Sequence, residues 1–408
     1  MDLGLERIHR LLEALNHPEK LPHIVHVAGT NGKGSTCAYI SSVLLASRQT
    51  VGRFNSPHLL EPRDSIQVNG QPVSQDLYDR TCQHVATVNA TIQATSFEQL
   101  VAAALCIFRD ACVTWAVIEV GLGGTLDATN VFACPDMTII TALAMDHAAV
   151  LGNTMQSIAA AKAGIMKRDC PAVLAPQEEP DALSTLQAEA QRHGALHVVA
   201  TPASWVDPRT RTCRVHAFGR DIEFIIALHG DYQRENAAVA VTALAWLAER
   251  GRWTWTDEAV QQGMAATRWP GRLDWVEGAR LGTLALPPLL VDGAHNPQAA
   301  RALRKYVDRP ERVVWILGVT AGKDIADMLA TLLKPNDVLL AVPFSQPEGM
   351  PWIQSVPPSD IVQVRQGHAF DRLHTALEYA IKHHGQDYIV LCGSLYLAAD
   401  FYRIVTSQ

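Results

Sequence analysis

The chain has 408 residues, 48% of them apolar and 18% charged, which is too long for one ordinary core at roughly 100–200 residues per domain and excludes a disordered or low-complexity protein. A formal net charge of −7 supplies no broad basic field, so the composition excludes general nucleic-acid or anionic-lipid binding and confines phosphate recognition to a local site. No stretch of about 18 uninterrupted apolar residues exists to cross a membrane. The amino terminus, with Asp2 and Glu6 close behind Met1, has neither a secretory apolar run nor an acid-free transit character, which predicts a cytoplasmic protein. The eight cysteines are scattered without a C-x-x-C pair and read as small core residues of a reducing compartment.

In chain order, His23-Ile24-Val25-His26-Val27-Ala28 predicts a buried strand, and Ser35 to Ser47 the helix that follows it. Trp115 to Val120 and Met137 to Thr141 predict two more strands, each ending before a loop rich in Gly, Asp, Asn or His. Ligands of open α/β sheets bind at such carboxyl ends, so three candidate loops lie side by side. A boundary is expected near residue 268, giving domains 1–268 and 269–408. Beyond it Leu289–Asp292, Val313–Leu317, Asp337–Ala341 and Tyr388–Leu391 alternate with helices as a second, smaller α/β domain of Rossmann-like character. The Pro-rich segment 343–358 is expected to be an ordered surface loop.

Gly29-Thr30-Asn31-Gly32-Lys33-Gly34-Ser35-Thr36 sits between a strand and a helix, where glycines let backbone N–H groups face an anion and the helix dipole assists. It varies from G-x-x-x-x-G-K-[ST], with Val27 at the first glycine position and Gly34 directly after Lys33. Glu119 ends an apolar strand, where a carboxylate needs either a magnesium ion or a salt-bridge partner. Asp146-His147 follows the third strand; the pair is either an ordinary turn or a second metal position, and its place beside the other loops favours His147 as a ligand. Lys162 lies among small apolar residues, and the sequence leaves open whether it is a surface lysine.

Together with Asp2-Leu3-Gly4-Leu5-Glu6-Arg7, Ser56-Pro57-His58-Leu59, Glu119 to Asn130, Lys162-Ala163-Gly164-Ile165, Trp269-Pro270-Gly271-Arg272-Leu273, Asp292 to Pro297 and Cys392 to Tyr396, these motifs resemble the folylpolyglutamate synthase and dihydrofolate synthase branch of the Mur ligase superfamily over almost the whole chain. The short start, Asp64-Ser65-Ile66 and Gly349-Met350-Pro351-Trp352-Ile353 are most similar to the fungal monofunctional members.

The resemblance implies a Mur ligase-like P-loop ATP-binding domain with a mostly parallel sheet, followed by the smaller domain. It implies a monomeric ATP-dependent ligase that forms an acyl phosphate on 7,8-dihydropteroate and transfers it to L-glutamate, giving dihydrofolate, ADP and phosphate. Glutamate addition to tetrahydrofolate, alone or by a bifunctional enzyme, is the alternative, and a P-loop regulatory NTPase a remoter one.

Residue by residue, the resemblance makes Thr30, Asn31, Gly32, Lys33, Gly34 and Ser35 the ATP cradle, with Asn236, Arg272 and Asp292 holding the nucleotide. Ser56, Glu119 and His147 become ligands of two magnesium ions, and Lys162 a carbamylated lysine. Asp2, Leu3, Gly4, Leu5, Thr95, Ser96, Phe97, Glu98, Leu126, Asp127 and Ala128 would meet the pterin acid. His295, with Lys33 and Lys162 a catalytic candidate, and Ser394 would handle glutamate. Two departures stand out: Ala161 replaces the family's Glu before the modified lysine, and Thr125 its Arg before Leu-Asp-Ala-Thr-Asn.

Overall fold

A computed structural model describes residues 4–309, 311–347, 350 and 352–406. The chain forms two compact units: one takes it up to His58, then Arg63–Ala227 and Tyr232–Arg268; the other takes Leu59–Pro62, Leu228–Asp231 and the chain from Trp269 onward.

The first unit is built on an eight-stranded sheet. Its strands are β1 (His23–Ala28), β2 (Val51–Phe54), β3 (Ile66–Val68), β4 (Gln71–Pro72), β5 (Trp115–Glu119), β6 (Met137–Ile140), β7 (Pro171–Leu174) and β8 (Leu196–Val199), in the order β4-β3-β2-β5-β1-β6-β7-β8. From β2 to β8 every neighbouring pair is parallel, while β3 and β4 form an antiparallel edge. The middle strands are apolar throughout because helices cover both faces, and every residue of β5 is buried. The first helix after β1 spans Lys33–Ala46, so it starts two residues earlier than the apolar pattern indicates: the lysine and glycine of the loop already form its first turn.

A second, three-stranded antiparallel sheet of β9 (Ser204–Asp207), β10 (Thr212–Ala217) and β11 (Arg220–Ile225) interrupts the expected alternation of strands and helices. Cys213, Val215, Ile222 and Phe224 point inward from it, and the sheet packs on the helices Gln233–Glu249 and Asp257–Ala266.

In the second unit β12 (Asp274–Val276) and the short hairpin of β13 (Arg280–Leu281) and β14 (Leu284–Ala285) precede β15 (Leu289–Val291), β16 (Val313–Leu317), β17 (Val338–Ala341), β18 (His368–Ala369) and β19 (Tyr388–Cys392). The sheet order is β12-β15-β19-β16-β17-β18, parallel except at β12. Two short pieces distant in sequence belong here because of specific contacts: Arg403 donates to Leu60 O, Tyr306 Oη meets His229 Nδ1 at 3.0 Å, and Lys305 pairs with Asp231 at 3.0 Å. The Pro-rich segment is tied down where described, with Ala321 N donating to Gln354 O at 2.8 Å and Phe344 N to Ser355 Oγ at 3.3 Å. Gly349 and Pro351 lie outside the described residues.

All eight cysteines are free; five are buried, whereas Cys112 and Cys134 are exposed because they sit in turns before β5 and β6 rather than in the core. Among the described residues no helix is long and apolar enough to cross a membrane.

Candidate functional site

Since β2, β5, β1 and β6 are consecutive parallel neighbours, the loops that leave their carboxyl ends emerge side by side. These are residues 55–58, 120–130, 29–34 and 141–147.

The loop after β1 is anchored on its neighbour. Thr30 N and Asn31 N both donate to Ala142 O at 3.0 Å, and Thr30 Oγ1 donates to Ala144 O at 3.3 Å. Gly32 caps the helix at φ +90°, and a Cβ there would stand 2.2 Å from Asn236 Oδ1, so both its backbone angle and the close approach demand glycine. Asn236 Nδ2 donates to Gln233 Oε1 at 3.1 Å, and Gln233 Nε2 donates to Ser35 Oγ at 3.2 Å. Gln233 escaped the sequence reading, although two amides one turn apart at the start of an otherwise apolar helix are a signal, since buried amides require partners. The helix has no side-chain cap, and Thr36 Oγ1 is buried without a hydrogen-bond partner among the described residues. An uncapped helix start, with its amide N–H groups and positive dipole end, plus Lys33 and an unused hydroxyl, suits a phosphate group.

Glu119, at the tip of β5, is 5% exposed. Its Oε1 lies 3.7 Å from Lys33 Nζ, which also donates to Thr30 O at 3.3 Å, and its Oε2 accepts from Asn55 Nδ2 at 2.7 Å. Ser56 follows directly, joined to Pro57 by a cis peptide bond. His147 adopts φ +54° with an exposed ring; its N donates to Asp146 Oδ1 at 2.9 Å and its Nε2 lies 3.8 Å from Asp146 Oδ2. No three His, Cys, Asp or Glu side chains gather as a metal cluster among the described residues. A magnesium site needs no such cage, because the ion keeps several waters and takes few protein oxygens beside those of a phosphate.

Lys162 is a buried lysine, 4% exposed, and its Nζ donates to Gly29 O at 2.7 Å. Burial first, and the charge of Lys33 second, push its pKa down to about 7, against the opposing pull of Asp146 and Asp127. The loop after β5 clasps the end of the same helix, Met155–Ala163: Thr125 N and Oγ1 both donate to Ala161 O, at 2.8 and 3.0 Å, and Asn130 Nδ2 donates to Thr125 O at 3.0 Å and Gly164 O at 3.2 Å. Thr125 and Ala161, the two departures from the family pattern, therefore meet each other.

Asp127 is buried and accepts from Leu122 N, Thr129 N and Thr129 Oγ1; burial raises its pKa while these hydrogen bonds oppose the rise. Thr129 Oγ1 is in turn 2.8 Å from Nε2 of His26, a ring kept neutral by burial, with its pKa lowered to about 3. Leu126 is 49% exposed and Ala128 buried. Thr95 and Glu98 form a capping box on the helix Ser96–Asp110, and Arg7 Nε donates to Glu98 Oε2 at 3.1 Å. Phe97 packs against Gly121 and the Phe54 ring. Gly4 and Leu5 lead into the helix Glu6–Ala14, whereas Asp2 and Leu3 lie outside the described residues.

In the second unit β15 and β19 are neighbours, so the loops carrying His295 and Ser394 leave adjacent strand ends. Asp292 accepts from Leu273 N and Ala294 N, both at 2.8 Å; burial raises its pKa, and the nearby Arg272 opposes that. His295 Nδ1 is 2.8 Å from Gly293 O, and Ser394 Oγ accepts from Tyr396 N at 3.1 Å at the start of the helix Leu395–Thr406.

Residues 27–244 match the Mur ligase middle domain and residues 284–404 the C-terminal domain of dihydrofolate synthetase. The chain is 38% identical to a Schizosaccharomyces pombe protein named "Probable dihydrofolate synthetase", covering 99% of this chain and 98% of that protein. It is 34% identical to the dihydrofolate synthetase of Saccharomyces cerevisiae, covering 100% and 99%. Among solved structures, Escherichia coli FolC in complex with DHPP and ADP superimposes with a TM-score of 0.87 at 29% identity, covering 100% of this chain and 94% of that one. A bifunctional folylpolyglutamate synthase/dihydrofolate synthase with Mn, AMPPNP and L-glutamate bound gives 0.86 at 30% identity, covering 100% and 95%.

Proposed function

The chain belongs to the folylpolyglutamate synthase and dihydrofolate synthase family of ATP-dependent ligases, and on that footing we propose that it joins L-glutamate to 7,8-dihydropteroate, giving dihydrofolate, ADP and phosphate. The observation that carries the choice of acid is the end-to-end match to two fungal proteins named for dihydrofolate synthesis. A bifunctional relative of the same fold makes addition of glutamate to reduced folates the second reading.

A carboxylate resists attack by an amine because its charge is delocalised and oxide cannot leave. ATP with magnesium supplies the phosphoryl group that turns the acid into an acyl phosphate. The chain's own residues then have defined work. Residues 30–35 would cradle the phosphates, a role supported by the uncapped helix start and the unused Thr36 hydroxyl. Lys33 would exchange its place beside Glu119 for phosphate oxygens, and Ser56 and Glu119, at the ends of the neighbouring β2 and β5, with His147 from the loop after β6, would take two magnesium ions. Asn236 would orient the loop and meet the nucleotide.

Lys162 fits carbamylation: a pKa near 7 leaves a large share of free amine, which adds to carbon dioxide and releases a proton, replacing an ammonium that repels cations by a carbamate that attracts them. Leu126 offers an exposed apolar contact for the pterin acid alongside residues 2–5, 95–98, 127 and 128. His295 and Ser394 would receive glutamate.

The test is an assay of purified protein with ATP, magnesium and glutamate on either dihydropteroate or tetrahydrofolate. Dihydrofolate with equal ADP and phosphate is expected from the first. Product from tetrahydrofolate alone would overturn the choice of acid, and ATP turnover that ignores glutamate would favour a regulatory NTPase.

A further inference from the structure

Asn55 occupies the tip of β2, buried, just before the cis Ser56–Pro57 bond. Its backbone N–H donates to Ser65 O at 3.0 Å, which fixes where the side chain starts. Its Nδ2 then donates to Glu119 Oε2 at 2.7 Å, while Glu119 Oε1 faces Lys33 at 3.7 Å. The Cys37 thiol lies against the same amide, so the side chain links β2, β5 and the helix Lys33–Ala46. The kind of donor matters. A lysine or arginine here would neutralise Glu119 and repel an incoming cation, and an acid would repel Glu119 itself. Lys33 and Arg53 already set positive charge beside Glu119, and an amide N–H fixes the carboxylate without adding a third cation.

We propose that Asn55 is a positioning residue which holds one oxygen of Glu119 through a neutral donor so that the other can meet the divalent cation of the nucleotide. This rests on the reading of Glu119 as a metal ligand. Nothing in composition or spacing singled Asn55 out, since an Asn at a strand end is ordinarily a turn residue.

Calorimetric titration of Mn2+ into the whole protein with AMP-PNP present tests it. Asn55→Leu deletes the donor at similar volume and is expected to weaken Mn2+ binding about tenfold, the equivalent of about 1.4 kcal/mol. Asn55→Thr, which retains a hydroxyl donor, is expected to stay within about threefold of the parent. In the ligase assay the half-saturating magnesium concentration should rise in parallel for Asn55→Leu while the KM for glutamate holds. Asn55→Ala makes the same deletion if the leucine variant does not fold. Unchanged Mn2+ binding in the donor-deleted protein, with only its melting temperature lowered, would overturn the proposal. Glu119→Gln separates the two ideas: if it too leaves Mn2+ binding unchanged, Glu119 is no ligand and the underlying reading fails; if it abolishes binding while Asn55→Leu does not, the positioning role alone fails.

Discussion

Replacing Lys162 by methionine should make the protein more stable, and more so at low pH. The folded chain lowers the pKa of this ammonium from 10.5 to about 7, chiefly through burial. At about 1.36 kcal/mol per pH unit that gap is worth about 5 kcal/mol against the protonated form, present in full below pH 7. Above the folded pKa the unfolded chain still binds the proton and the folded one does not, so the penalty shrinks as pH rises and vanishes near 10.5. Between pH 6 and pH 9 it should fall by about 3 kcal/mol. Methionine also removes the hydrogen bond to Gly29 O, returning about 1–2 kcal/mol. The net expectation is a variant more stable than the parent by about 3 kcal/mol at pH 6 and roughly equal at pH 9. Urea denaturation of both proteins in carbonate-free buffer without nucleotide measures this. A Lys162→Met protein that is less stable at pH 6, with no change in the difference at pH 9, would refute the reasoning that burial depresses this pKa.

Glu119→Ala should lower kcat of the ligase reaction by at least about a hundredfold, because among the described residues no other carboxylate pairs with Lys33 at the tip of β5, and steady-state kinetics at saturating magnesium would show it. Gly164→Ala should cost about 1–3 kcal/mol in urea denaturation, since its Cβ would stand 2.0 Å from Thr125 Oγ1 and 2.7 Å from Thr125 Cα. The additional variant Thr125→Ala should recover only part of that loss, because the backbone contact remains.

Much of the architecture was legible in the order of the chain. The strands at His23–Ala28 and Val313–Leu317 are short apolar runs buried on both sides, and such runs announce themselves whatever surrounds them. The sheet Ser204–Ile225 did not, because β9 buries no residue fully, β10 and β11 bury only two residues each, and exposed positions between these carry Arg214, His216 and Asp221. The turn at 29–36 between strand and helix was readable from its glycines and lysine. Its supports were not: Gln233 lies 198 residues from Ser35, and Asn55 lies 64 residues from Glu119. Lys162 was ambiguous for the same reason, since its acceptor at Gly29 is 133 residues away and its Ala-rich helix has little polar face to orient it. Thr95-Ser96-Phe97-Glu98 shows the opposite case. The spacing of a capping box is local, and in the structure Thr95 Oγ1 accepts from Glu98 N while Glu98 Oε2 accepts from Thr95 N at the helix start.

In the proposed reaction a phosphoryl group passes to the acid before glutamate attacks. Dihydropteroate labelled with 18O in both carboxylate oxygens, turned over with ATP and glutamate, tests that step by mass spectrometry of the released phosphate. One labelled oxygen in each phosphate is expected, because the acyl phosphate hands its bridging oxygen to the leaving group. Phosphate free of label, or AMP and pyrophosphate in place of ADP and phosphate, would contradict it.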